Sequence, residues 1–177
     1  MIAQLKGQLT FKSPEHTIVD VNGVGYQVFT PLSTYYALPS IGQTVSLRVH
    51  TRVREDELKL FGFLTEQELT IFQKLITINK VGPRLALGIL SGMSSADLLS
   101  AVMNNDYAKL STIPGVGKKT AERLTLEMKD KLGDMLLETE NPSGSSSEHG
   151  LYDDALSALL NLGYKKPMAE KALKSIC

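Results

Sequence analysis

A nine-residue pattern occurs twice in this chain, 35 positions apart: Ile78-Asn79-Lys80-Val81-Gly82-Pro83-Arg84-Leu85-Ala86 and Ile113-Pro114-Gly115-Val116-Gly117-Lys118-Lys119-Thr120-Ala121. Lys74-Leu75, ahead of the first copy, returns as Lys109-Leu110 ahead of the second. Glycine permits a tight turn and close approach of a backbone. A helix that starts directly after such a turn leaves its first N–H groups without intrahelical partners, and with the helix dipole these make an anion site. A basic residue follows each turn at the matching place, Arg84 and Lys119. The chemistry on offer is therefore non-covalent: two sites suited to phosphate. One glycine turn between helices is often only a connector; two in register, each with its cation and with a small Ala one turn in, have the layout of paired helix-hairpin-helix units and point to a nucleic-acid backbone.

Covalent chemistry finds less support. Gly117-Lys118-Lys119-Thr120 is superficially like a nucleotide-binding P-loop, but that motif needs Gly where Thr112 stands and Ser or Thr where Lys119 stands. No nucleophile constellation stands out. The three histidines, His16, His50 and His149, are scattered, and the single cysteine, Cys177, offers neither a disulfide framework nor a thiolate metal cluster. The expectation is a binding module with no catalytic residue, metal or cofactor.

The charge distribution fits a local phosphate surface. The 177-residue chain has no net charge, whereas a nucleic-acid binder usually carries an excess of Lys and Arg. From Lys109 to Lys131, however, six basic residues (Lys109, Lys118, Lys119, Arg123, Lys129, Lys131) face three acidic ones (Glu122, Glu127, Asp130). Beyond Glu138 acidic residues prevail, so the C-terminal segment is not expected to touch DNA. No 18-residue apolar run or secretory leader is visible, which makes a cytoplasmic location and no membrane association the expectation.

The elements that must position the hairpins follow from periodicity. Residues 1 to 63 read as β structure: Ile2 to Leu9 and Val45 to Val53 alternate apolar with polar residues, Thr17 to Val21 and Tyr26 to Thr30 flank an Asn22-Gly23 hairpin signal, and Leu58 to Phe63 is a last run. Five short strands in this length predict a small closed barrel of the OB-fold kind. Between the last two strands lies Arg52-Val53-Arg54-Glu55-Asp56-Glu57. Its three carboxylates admit three readings: a solvated turn that prevents edge pairing, an acidic projection that repels phosphates and guides strands, or a metal-dependent nuclease site. The last needs carboxylates converging from several elements, while neighbours on one strand point to opposite faces.

Residues 64 to 137 read as helical. Thr65-Glu66-Gln67-Glu68 has the form of a capping box, in which Glu68 returns a bond to the helix start. Leu69, Phe72, Leu75 and Ile76 follow as an apolar stripe. Ser94 or Ser95 caps a helix through Leu98, Leu99 and Val102. After the second hairpin a long amphipathic helix is expected to present Ala121, Leu124, Leu126, Met128 and Leu132. Residues 138 to 150, rich in Pro, Gly and Ser, read as a flexible tether. In residues 151 to 177, Tyr152, Leu156, Leu159 and Leu160 form one helix face, Leu162-Gly163-Tyr164 a C-cap turn, and Pro167 a second helix start. So short a segment lacks a robust core and is expected to dock on a protein partner.

The order of these parts resembles the RuvA family, the Holliday junction-binding subunits of the bacterial branch migration complex. The resemblance covers the whole chain and rests on Arg54-Glu55-Asp56, Leu60-Phe61-Gly62-Phe63, Val81-Gly82-Pro83-Arg84-Leu85-Ala86, Pro114 through Leu124, and the Leu-Gly-Tyr tail. It implies a homotetramer, or two of them as an octamer, holding an open square-planar four-way junction. Each helical domain then grips one arm from the minor-groove side through phosphates, without reading sequence. Carried over residue by residue, the DNA contacts fall on Val81, Gly82, Arg84, Gly115, Gly117, Lys118, Lys119 and Arg123, and the family's acidic pin on Glu55 and Asp56. The resemblance also implies two protein partners. One is the hexameric ATPase motor RuvB, contacted by a small UBA-like third domain through Leu156, Leu159, Leu162 and Tyr164; the other is the resolving nuclease RuvC, acting on the same junction. Homologous recombination and DNA repair are the implied processes. Two departures stand out: the family usually has Gly where Lys80 stands, and its third domain has a further helix after the region of Lys174, so that domain is expected to lack a piece here. The competing reading is an accessory protein for linear DNA or RNA duplexes.

Overall fold

The computed structural model describes residues 1–139 and, beyond them, residues 155, 156, 159, 164, 168, 172 and 173. The chain forms two compact units, Met1–Asp134 and Met135–Cys177. In the first, five strands close into a barrel: β1 (Gln4–Lys12), β2 (His16–Val21), β3 (Val24–Phe29), β4 (Thr44–Val53) and β5 (Leu58–Phe63), in the order β1-β2-β3-β5-β4. Only β3 and β5 run parallel. Alternation sends Leu5 and Leu9 of β1, Val19 of β2, Val28 of β3, Val45, Leu47 and Val49 of β4 and Leu60 of β5 inward to one apolar core. Asn22 and Gly23 both have positive φ, 54° and 87°, as a two-residue turn matching strand twist requires.

One element was not legible in the sequence. Between β3 and β4 lies a short helix, α1 (Leu32–Ala37), where β structure was expected throughout residues 1–63. Its Thr, Tyr and Ser content hides it, and Pro31 before it and Pro39 after it limit it to six residues. The helix ties barrel to helical layer: the Leu32 N–H donates to Ser91 Oγ at 2.9 Å, and the Ser33 and Thr34 hydroxyls donate to the Glu68 carboxylate at 2.8 and 3.3 Å.

That last contact corrects the capping-box reading. Thr65 caps α2 (Glu66–Ile76) as expected, accepting from the Glu68 N–H at 3.2 Å, but the Glu68 carboxylate accepts hydroxyl bonds from α1 and from Thr65 instead of a backbone bond at the helix start. Phe72 of α2 packs on the barrel end, with ring centroids 4.9 Å from Phe63, 5.2 Å from Phe61 and 5.5 Å from His50.

Four more helices follow: α3 (Pro83–Gly92), α4 (Ser95–Met103), α5 (Tyr107–Ser111) and α6 (Lys118–Thr139). Ser94 caps α4 by accepting from the Asp97 N–H. On α6, Ala121, Leu124 and Met128 are fully buried, but Leu126 is 67% exposed. The correction has a simple geometric cause: two residues along a helix is a rotation of about 200°, so Leu126 stands opposite Leu124. Thr125 fills the buried position, its hydroxyl donating to the Ala121 carbonyl at 2.9 Å. The side chain of Leu132 lies outside the described residues.

Among the described residues no single helix is long and apolar enough to cross a membrane. In the second unit, Ala155, Leu156 and Leu159 are helical and half-buried, and the Tyr164 N–H donates to the Leu159 carbonyl at 3.1 Å. Met168 and Leu173 are helical as well. Tyr152, Leu160, Leu162, Gly163, Pro167 and residues 140–150 of the expected tether lie outside the described residues.

Candidate nucleic-acid interface

The two copies of the repeated pattern share three pairs of hydrogen bonds and differ in one, the Thr120 N–H donating to the Gly117 carbonyl at 2.9 Å where the equivalent Leu85 N–H has no partner among the described residues. Before each turn a Thr hydroxyl donates back to a Lys carbonyl, Thr77 to Lys74 and Thr112 to Lys109, both at 2.7 Å. Within each turn the valine N–H donates to the isoleucine three before it, Val81 to Ile78 and Val116 to Ile113, both at 3.0 Å. After each turn the alanine N–H donates to the glycine carbonyl, Ala86 to Gly82 and Ala121 to Gly117, both at 2.9 Å. Ile78, Val81, Ala86, Ile113, Val116 and Ala121 are all buried. The repeated Thr pair escaped sequence reading, although the same 35-residue offset marks it.

These bonds leave a defined set of donors over. The N–H groups of Gly82, Arg84 and Leu85 at the start of α3, and of Gly117, Lys118 and Lys119 at the start of α6, have no partner within the protein among the described residues. Pro83 occupies the first helical position of α3 and has no N–H. Leu85 was missed because its contribution is a backbone donor, which no side-chain pattern reveals. Val81 offers DNA neither its side chain nor its N–H, since the one is buried and the other is bonded to Ile78. Its place is to hold the turn.

The fold does not itself demand the glycine that precedes each helix. A Cβ built on Gly82 or Gly117 meets nothing within 4 Å, and neither residue has positive φ. The fold itself would accept a side chain there; a surface laid against those amides would not. Gly115 differs, with φ 88°. At the equivalent place in the first copy, Lys80 holds φ 69°, so the left-handed conformation foreseen for that position is present, at a cost of about 1 kcal/mol for a side chain that is not glycine.

The basic residues of the helical layer fall into two groups. Lys74 donates to the Lys131 carbonyl, Lys131 to the Thr77 hydroxyl, Lys129 to Asn105 and Lys109 to the Asp97 carboxylate at 2.7 Å. With the Ser94 hydroxyl also bonded to it, Asp97 is held below the usual carboxylate range. Arg123 Nη1 donates to the Asn79 carbonyl at 3.3 Å, which bridges the second hairpin's helix to the first hairpin's turn. Lys80, Arg84, Lys118 and Lys119 are exposed and form no hydrogen bond or ion pair with any described residue. All four sit at the two turns, beside the free N–H groups. Charge and donors thus coincide.

The acidic loop is a hairpin tip between β4 and β5, closed by the Arg54 N–H donating to the Glu57 carbonyl at 2.8 Å. Glu57 turns back along β5 onto Lys59 at 2.6 Å, and that hydrogen bond holds its carboxyl below the usual range. Glu55 and Asp56 are exposed and form no ion pair with a described residue. Among the described residues no three His, Cys, Asp or Glu side chains are placed to hold a metal ion. The tip therefore presents two bare carboxylates to solvent.

Comparison with known proteins agrees with this arrangement along the chain. Residues 1–62 match the RuvA N terminal domain, residues 72–130 the SAM-like helix-hairpin-helix tandem, and residues 150–177 the RuvA C-terminal domain. Among similar proteins are those of Geobacter sp. (strain M21) and Citrifermentans bemidjiense, each 51% identical over 178 residues, and that of Syntrophotalea carbinolica, 52% identical over 177. In all three the match takes in 99% of this chain and 89% of the relative, and each is named Holliday junction branch migration complex subunit RuvA. With a barrel, twin hairpins and matches over nearly its whole length, the chain belongs to the RuvA family.

Proposed function

We propose that this chain binds four-way junction DNA without reading its sequence, as a homotetramer, and delivers a RuvB-type ATPase motor to the junction for branch migration. It is a binding subunit with no catalytic site of its own. The observation that carries the reading is the coincidence, at two equivalent turns, of six N–H groups and four cations that have no partner among the described residues. Such groups grip phosphates and carry no base information. The contacts fall on Gly82, Arg84, Gly115, Gly117, Lys118 and Lys119, with Leu85 added through its N–H, while Val81 and Arg123 hold the turns in place.

Glu55 and Asp56 act as the pin. Two bare carboxylates on a projecting tip repel backbone phosphates, and four copies at a junction centre favour strands that part and re-pair with neighbouring arms. The functional division follows residues 1–63, 64–137, 138–150 and 151–177: barrel and pin, grip, tether, and motor contact, with α6 running on through Glu138 and Thr139 at the start of the third. Leu156, Leu159, Leu162 and Tyr164 of the last segment form the motor contact, Tyr164 being exposed. A RuvC-type resolvase shares the same junction in the cytoplasm, and a second tetramer on the opposite face makes an octamer.

Native gel titration of the full chain against a synthetic four-way junction and a linear duplex of equal length tests the reading. Junction preference in discrete shifts, for one and then two tetramers, is expected. Equal binding to both overturns junction recognition and leaves a general duplex binder.

A further inference from the structure

We propose that Lys80 contacts a DNA phosphate at the first hairpin and supplies there the charge that Lys118 supplies at the second. The proposal rests on the phosphate-binding reading above, and its test separates the two.

Each turn of the repeat has two exposed, unpaired cations, Lys80 and Arg84 in the first copy and Lys118 and Lys119 in the second. Arg84 and Lys119 are equivalent under the 35-residue offset, but the other two are not. Where the second copy has Lys118, the first has Pro83; where the first has Lys80, the second has Gly115. The first turn thus lacks both the cation and the N–H of the first helical position. It has instead a cation two residues ahead of its glycine, and the charge per turn is the same.

The backbone shows that this charge is held against a local preference. Among the described residues three that are not glycine have positive φ: Asn22, Lys80 and Asn105. Asparagine adopts that region comparatively easily, and Asn105 is further fixed by Lys129, which donates to its side chain at 2.8 Å. Lys80 has neither advantage, as its side chain is long and forms no bond with a described residue. Glycine at this place would relieve the backbone, as it does at Gly115 with φ 88°. Strain of this kind persists where it serves a site, and here it sets an unpaired ammonium beside the free amides of Gly82, Arg84 and Leu85. The other lysines of the first hairpin's surroundings, Lys74 and Lys131, are bonded within the protein and cannot take over without breaking those bonds.

The test uses Lys80→Gln, Lys80→Arg and Lys80→Gly, with Lys119→Gln as reference. Binding to a fluorescent four-way junction is followed by anisotropy as salt rises from about 50 to about 200 mM. Each of the four subunits loses one phosphate interaction, which lowers the steepness of log affinity against log salt by about 0.9 per subunit, about 3.6 for the tetramer, so the wild type's advantage over Lys80→Gln shrinks about a hundredfold across that range. Lys80→Arg keeps the wild-type slope. Lys80→Gly has the reduced slope of Lys80→Gln yet melts at a higher temperature than wild type. Wild-type slope in Lys80→Gln beside a reduced slope in Lys119→Gln overturns the proposal and leaves the hairpin reading standing. Wild-type slope in both overturns the hairpin reading itself. A Lys80→Gly protein that binds as wild type shows that the strained lysine does not touch DNA, and also overturns the proposal.

Discussion

Gly115 lies against Leu85: a Cβ built on the glycine would stand 3.1 Å from Leu85 Cδ1, so the turn of the second hairpin rests on the first turn of α3, the helix that follows the first hairpin. Arg123, reaching from α6 to the Asn79 carbonyl, makes a second bridge between the two hairpins. The two turns are therefore joined side by side in one surface. Gly115→Ala adds a side chain at φ 88° and presses on Leu85, and it is expected to lower stability by about 1–2 kcal/mol. Urea unfolding monitored by far-ultraviolet circular dichroism reads this directly; an unchanged midpoint would refute the packing argument.

Gly117→Ala should behave in the opposite way. The new methyl meets nothing within 4 Å among the described residues and the backbone there is not left-handed, so stability should stay within about 0.5 kcal/mol of wild type. Junction affinity should nevertheless fall at least several-fold, because the methyl stands where a phosphate backbone approaches. Normal folding with normal binding would show that DNA does not reach this amide.

The acidic tip is expected to oppose binding. Glu55→Gln and Asp56→Asn together remove two exposed, unpaired charges and leave the Glu57–Lys59 pair intact. The double variant should unfold at the wild-type midpoint and bind both junction and linear duplex more tightly, with a smaller preference for the junction. Weaker binding by this variant would remove the pin from its assigned role.

Acid should loosen the barrel end through His50. Burial, and secondarily the neighbouring Arg52 charge, lowers its pKa below 6.5, so the unfolded chain takes up a proton more readily than the folded one. Stability is expected to be full above about pH 7 and to decline as pH falls below about 6.5, levelling off below the folded pKa. His50→Gln should flatten that part of the profile in denaturant titrations between about pH 7.5 and about pH 5.5. A wild-type profile without this decline would contradict the assignment.

The strands, the Asn22-Gly23 turn, the Thr65 and Ser94 caps and both hairpins were legible because each depends on neighbours in sequence. Alternation, turn residues and capping hydroxyls act over two to five positions. Where tertiary contacts compete, local reading failed. Glu68 looked like half of a capping box, yet its carboxylate is taken by Ser33 and Thr34, 35 and 34 residues earlier in α1. Leu126 looked like core because it is leucine, while α6 turns it to solvent and buries Thr125.

By itself the sequence determined that this protein has a small barrel followed by two equivalent glycine turns with cations, since periodicity and a 35-residue repeat are local properties of the chain. Only the tertiary structure decided which of the basic residues are available. Lys74, Lys109, Arg123, Lys129 and Lys131 look no different in sequence from Lys80, Arg84, Lys118 and Lys119, but packing brings a carbonyl, a hydroxyl, an amide or a carboxylate to each of the first five. A charge's availability depends on what the fold places within hydrogen-bond reach, and those groups come from residues up to 57 positions away.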